Sequence, residues 1–274
     1  MKVFISADIE GVAGVVSWDQ TLPQGRGYEQ ACEWMTDEVI AVCNAAIEAD
    51  AEYICVADSH LNGENINLDR LPDQVSVVRG SPRPHGMMQG MESGDFDVAI
   101  CLGYHTGAHE VGTLNHTSNG AGFHALRLNG EGIDELDLYI RVASHFGTPV
   151  GLVTGDNKIC ASAARRYPFV ETAVVKQAIG RMSAQTSSPH AGRELIHQQT
   201  KSVLSDVSRF RLIDVQGPFE LEVDFKWHHP AETLAFLPSF ERTGAQTVRF
   251  RGADILSIAK VVAFLSAYKL VPYP

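Results

Sequence analysis

Three short polar stretches of this 274-residue chain, each directly after an apolar run, hold side chains of the kind that bind metal ions. Asp8 and Glu10 stand two apart. If the strand before them continues, both carboxylates share one face at roughly 7 Å spacing, and they repel unless a cation sits between them. Asp58 and His60 repeat that spacing after the next apolar run. His105, His109, His116 and His124 place four of the chain's 11 histidines within one loop-like stretch, GYHTGAHEVGTLNHTSNGAGFH. Its Gly and Asn residues disfavour a helix and let backbone approach a ligand closely. Glu135 opens a helical segment, where the macrodipole favours a carboxylate. Taken singly, each has a plainer reading: Asp8 as a turn former, Asp58 as a cap, His60 as a surface histidine, Glu135 as an ordinary first-turn acid.

Taken together they point to a metal site made of carboxylates and imidazoles. No rival chemistry has its motif: there is no Gly-x-Ser-x-Gly elbow, no phosphate-binding Gly-x4-Gly-Lys, no Gly-x-Gly-x-x-Gly and no His-Glu-x-x-His. Mixed oxygen and nitrogen ligands suit Zn2+, with Mn2+ or Co2+ as substitutes, and more than four candidates suggest two metals sharing one carboxylate. Such a pair activates water and clamps both oxygens of a hydrolytic transition state. A helical His105/His109 pair ranks below His105 acting alone, because Gly103, Gly107 and Gly112 surround it.

The elements that must position these residues read as α/β. Apolar runs at Val3–Ala7, Tyr53–Ala57, Val75–Val78, Val98–Leu102 and Val150–Thr154 alternate with helical periodicity at 28–49 and 134–145, predicting a mainly parallel sheet flanked by helices. Ligands of such a sheet bind beyond the carboxyl ends of its strands, which is where the polar stretches lie. Beyond Thr186-Ser187-Ser188-Pro189 a helix over 191–204, an alternating strand at 220–226, a strand at 247–251 and a helix over 253–268 predict a smaller α+β unit. The expected division is 1–187 for the catalytic α/β domain and 188–274 for the smaller one, with a soft boundary.

Composition narrows the partners. Hydrophobic residues make up 45% and charged residues 20%, enough for a globular core. A net charge of −11 with no basic block argues against nucleic acid. No apolar run is long enough for a membrane span. The start MKVFISADIEG turns acidic too soon for a signal peptide, and five widely spaced cysteines suggest no disulfide framework, so a cytoplasmic protein is expected.

The stretches SADIEGVAG at 6–14, VADSH at 56–60, LGYHTG at 102–107, NHTS at 115–118 and DELDL around Glu135 resemble the D-aminopeptidase family of zinc metallopeptidases, the DppA type of dipeptide-transport operons. The likeness continues through VVKQAIGR at 174–181, SSPHAGREL at 187–195 and TVRF near the end, so it spans the chain in order. It implies a two-zinc site with ligands Asp8, Glu10, His60, His105 and Glu135, Asp8 bridging. The family's catalytic histidine, described there as a nucleophile, falls on His116; chemically a general base or a donor to the developing oxyanion suits it better. The resemblance further implies a short-peptide substrate, a preference for D-residues such as D-alanine, and a homo-oligomer, in that family a decamer around an internal channel.

Around these residues, Asp58 is expected to orient a ligand, and His109 beside Glu110 to be an added feature of this branch. Lys176 and Arg181 read either as recognising a peptide carboxylate or as a surface pair. The competing functions are a metal-dependent hydrolase of another amide or of a phosphoester, and a metal-binding oligomer without activity. Residues 100–124 contain no Lys or Arg to neutralise a phosphate, which favours the peptide.

Overall fold

The computed structural model describes residues 1–268. In chain order the elements are β1 (Lys2–Ala7), α1 (Tyr28–Glu48), β2 (Tyr53–Asp58), β3 (Val75–Val78), β4 (Val98–Tyr104), β5 (Phe123–Leu128), β6 (Glu131–Ile133), α2 (Glu135–His145), β7 (Val150–Asp156), α3 (Asn157–Arg166), β8 (Glu171–Gly180), β9 (Ser183–Thr186), α4 (Pro189–Ser205), β10 (Phe219–Phe225), α5 (His228–Leu234), β11 (Phe240–Arg242), β12 (Thr247–Gly252) and α6 (Ile255–Ala267).

Seven strands form one sheet in the order β3-β2-β1-β4-β7-β8-β9. All neighbours are parallel except the closing β8–β9 hairpin. Every residue of β4 and β7 is buried, as central strands covered on both faces require, and this is why they read as continuous apolar runs. One face packs against α1 and α4 through Val3, Ile5, Val39, Val42 and Ile196. The other meets α2 and α3 through Phe4, Cys101, Val153, Leu136, Ile140 and Ile159, while α6 packs against α2 and the smaller sheet. Strand order reverses between the parallel neighbours β1 and β4, so the connections leaving their carboxyl ends run apart and open a crevice there.

The second sheet, β11-β12-β10-β5-β6, is antiparallel. The alternation of β10, with Phe219, Leu221, Val223 and Phe225 buried, is what its sequence predicts. Residue 187 lies between β9 and α4, yet elements cross it both ways. Strands β5 and β6, from before it, join the antiparallel sheet, and α4, from after it, packs on α1. The smaller sheet is thus assembled from two distant segments. Among the described residues no helix is long and apolar enough to cross a membrane.

Candidate metal centre

The crevice between β1 and β4 is filled by charged side chains. β1 ends at Ala7, so Asp8 and Glu10 lie in the bend after it; the turn, and not strand alternation, brings them together. That bend is pressed onto the end of β4: the Gly11 amide donates to the Gly103 carbonyl at 2.7 Å, and the Asp8 amide to Leu102 at 2.9 Å. A Cβ on Gly11 would sit 2.3 Å from Gly103 backbone, and one on Gly103 2.1 Å from the Asp8 carbonyl oxygen. Gly103 also has φ +70°, so here glycine is demanded twice over. Lys176, from β8, is 2% exposed and donates to the carbonyls of Glu10 at 2.5 Å, Val12 at 3.1 Å and Val15 at 2.6 Å. It is a buried clamp on the bend, which corrects both sequence readings of it.

The remaining residues come from three other places. His60 follows β2, in a turn closed by Asp58, whose carboxylate accepts from the amides of Asn65 and Ile66; the Asn65 side chain donates in turn to the His60 carbonyl at 2.7 Å. Asp58 therefore acts on the backbone of this turn and not on an imidazole. His105 ends β4. Glu135 is the first residue of α2, which starts there because Asp134 caps it in a reciprocal box with Asp137, both tied by Arg166 from α3.

The side chains converge. His60 Nδ1 is 3.2 Å from Asp8 Oδ1 and 3.0 Å from Glu10 Oε2; His105 Nε2 is 3.5 Å from Asp8 Oδ2 and 3.3 Å from Glu135 Oε1. His116 Nε2 stands 3.9 Å from Glu135, and its ring stacks on His105 at 4.2 Å. Two overlapping triads, Asp8–Glu10–His105 and His105–His116–Glu135, have ligand atoms spaced closely enough to share a cation. All six residues expected from the sequence thus meet at one place. His109 does not: it is exposed on a non-helical loop, which removes the helical His105/His109 pair.

Each imidazole has one nitrogen tied to a main-chain carbonyl. His60 Nε2 donates to Thr21 at 2.6 Å, His105 Nδ1 to Thr106 at 3.0 Å and His116 Nδ1 to Leu114 at 2.9 Å. In the neutral ring this fixes the tautomer and leaves the other nitrogen's lone pair facing the carboxylates. Glu10 Oε2 and His105 Nε2 are buried with no hydrogen-bond partner. Burial and the neighbouring Glu10 push the Asp8 carboxyl up to about 8. Burial alone would lower His105, but Glu135, Asp8 and Glu10 outweigh it and raise the imidazole to about 10. Burial and His105 lower His116, which is therefore neutral at ordinary pH. So many acids in one dry pocket must hold protons or cations, and orphaned ligand atoms with fixed lone pairs fit a divalent metal.

Above the cluster opens a cavity of about 1000 Å³. Trp18 lines it, in a T-shaped contact with His116 at 5.2 Å and with the Arg181 guanidinium over its ring at 5.1 Å. Arg181 is thus neither paired with Lys176 nor beside it. Trp18, Thr21 and Lys226, also at or near this cavity, carried no sequence signal: a tryptophan, a carbonyl and a lone lysine from distant segments match no motif.

Comparison with known proteins agrees with this geometry. The peptidase family M55, described as D-aminopeptidase, matches residues 1–264. A D-aminopeptidase of Bacillus subtilis (strain 168) is 30% identical over 258 residues, 93% of each chain. The solved structure of the Zn-dependent D-aminopeptidase DppA from Bacillus subtilis, a self-compartmentalizing protease, superposes with a TM-score of 0.90 at 28% identity, covering 97% of this chain and 96% of that one. With a match along nearly its whole length and a site of matching chemistry, the chain belongs to the D-aminopeptidase family of peptidases.

Proposed function

We propose that the protein is a zinc-dependent aminopeptidase that removes the amino-terminal residue, a D-amino acid such as D-alanine, from short peptides at a two-metal site. The observation that carries this reading is the set of three imidazoles, each held by a backbone carbonyl and presenting its free nitrogen to Asp8, Glu10 and Glu135. Asp8, Glu10, His60, His105 and Glu135 would hold two Zn2+ ions, with Mn2+ or Co2+ as replacements. Metal there polarises the scissile carbonyl and acidifies water.

The chain's own groups do the rest. His116 Nε2 takes the proton of the attacking water as general base, and returns it to the leaving amine; Leu114 holds the ring in the tautomer that permits this. The Ser118 amide fixes Glu135 Oε1 at 2.7 Å, so the carboxylate does not drift toward His116 during the proton transfer. Trp18 walls the imidazole from solvent on one side. A phosphoester is the poorer substrate: the Arg181 guanidinium is stacked on Trp18, and residues 100–124, which carry His105 and His116, contain no Lys or Arg to neutralise a transferring phosphoryl group.

A homo-oligomer, a decamer with an internal channel, is part of the same reading, supported by the self-compartmentalizing relative. So is a cytoplasmic setting, since all five cysteines are free. The test is hydrolysis of D-Ala-D-Ala and L-Ala-L-Ala by purified protein before and after chelation and zinc add-back, with metal content measured on the same samples. Cleavage of the D-form restored by zinc is expected. About two metals per chain with neither peptide cut would leave the site and overturn the substrate.

A further inference from the structure

Two cations face the cavity without an acidic partner. Arg181 follows β8 and its guanidinium lies over Trp18; its carbonyl accepts from the Leu114 amide at 2.7 Å, next to the carbonyl that orients His116. Lys226 follows β10 and its Nζ donates to the Gly120 carbonyl, in the loop that carries His116. Neither makes an ion pair among the described residues, whereas Arg127, Arg166 and Arg249 each engage two acids or more. Arg83, the third cation on the wall, is already committed to the carbonyls of Asp58 and Val78.

In a chain of net charge −11, two unneutralised cations held toward one cavity are a local reversal of field. Burial, and then the Arg181 guanidinium, draw the Lys226 ammonium below its ordinary range, which places the two charges within mutual influence. An anion between them relieves that repulsion. The acidic cluster lines the same cavity, so the site holds both signs of charge. Trp18 touches both the His116 ring and the Arg181 guanidinium. A short peptide, with an ammonium at one end and a carboxylate at the other, carries the complementary pair of charges.

We propose that Arg181 and Lys226 bind the free carboxyl terminus of the peptide whose amino end lies at the Asp8–Glu10–Glu135 cluster, and so select short substrates that end in a carboxylate. This deepens the aminopeptidase reading and rests on it. The planar guanidinium, kept in place by Trp18, suits a two-point contact with a carboxylate, and the lysine adds a point charge from the other side.

The experiment compares D-Ala-D-Ala with D-alanyl-D-alaninamide, which differs only in lacking the terminal charge, on zinc-loaded wild type and on Arg181→Met, Lys226→Met and Arg181→Lys. Wild type is expected to favour the free acid at least tenfold in kcat/KM. Each Met variant should bring that ratio toward one through KM, with Arg181→Lys between. A wild-type ratio near one overturns the inference while leaving the aminopeptidase reading intact, and it needs no variant to fold. A ratio unmoved in both Met variants overturns it as well. Wild type that holds zinc and cuts neither compound overturns the aminopeptidase reading, and this inference with it.

Discussion

Replacing Lys176 by methionine keeps the length and apolar stem of the side chain and removes its ammonium. The three carbonyls of Glu10, Val12 and Val15 that it serves then have no donor. Leaving a buried acceptor unmade costs about 1–3 kcal/mol, which for three sums to between about 3 and 9. Part of this is offset because an ammonium no longer has to be taken out of water, an expense of several kcal/mol. A net loss of about 3–5 kcal/mol results, typical of breaking one side of a buried charged contact. At roughly 2–4 °C per kcal/mol for a chain of this size, Lys176→Met should melt about 10 °C below wild type. Because Glu10 is on the clamped bend, bound zinc should fall as well. Thermal melts followed by circular dichroism, with zinc measured on the dialysed protein, test both. A melting point within 2 °C of wild type and full zinc content would refute the clamp.

His105→Ala should lose metal and turnover together, while His116→Ala should retain the metal and lose about 10²–10⁴-fold in kcat, the usual worth of a general base; metal analysis beside peptide assays separates them, and full metal in His105→Ala would sink its assignment as ligand. Glu38 is buried, accepts from the Ala13 amide, and burial pushes its carboxyl up to about 7. Its folded state therefore holds a proton that the unfolded state has released between about 4.5 and 7, so its contribution to stability is complete below that window and is lost as pH rises through it. Glu38→Gln should gain on wild type between pH 5 and pH 8, by up to about 3 kcal/mol in urea melts; an equal pH slope in both proteins would contradict this. Gly103→Ala drives a Cβ to 2.1 Å from the Asp8 carbonyl at a positive φ, and should give insoluble protein or protein without metal; a soluble, zinc-replete variant would show that the approach of β1 to β4 is not needed.

The parallel sheet was readable because strands buried on both faces are written as unbroken apolar runs, Val98–Leu102 most plainly. Asp8, Glu10, His60 and His105 stood out because acids and histidines directly follow apolar runs, whereas the roles of His116 and Glu135 were suggested by the family resemblance. α3 and β8 were not anticipated. Helix α3, NKICASAARR, is short, and it buries only Ile159, Cys160, Ser162 and Ala163; β8, ETAVVKQAIG, places a lysine at a buried position. That lysine is satisfied only by carbonyls more than 160 residues away, which no local pattern records. Likewise β5 pairs with β10 across a long connection and carries β6 with it, so sequence proximity to the first sheet misplaces them. Trp18 meets His116, and Arg181 meets Trp18, only through the fold.

The candidate centre draws on both layers of the molecule. Asp8, Glu10, His60 and His105 ride on strand ends of the large sheet, while Glu135 begins the helix that leaves the small sheet's β6 hairpin, and His116 lies on the link between them. An ion held there is accordingly a rivet as well as a reagent: it fastens the edge of one layer to the edge of the other. Stripping it frees the seam before it frees either sheet. Amide exchange in the metal-free protein should therefore quicken first at residues 105–122 and at the start of α2, while β4 and β7 remain protected.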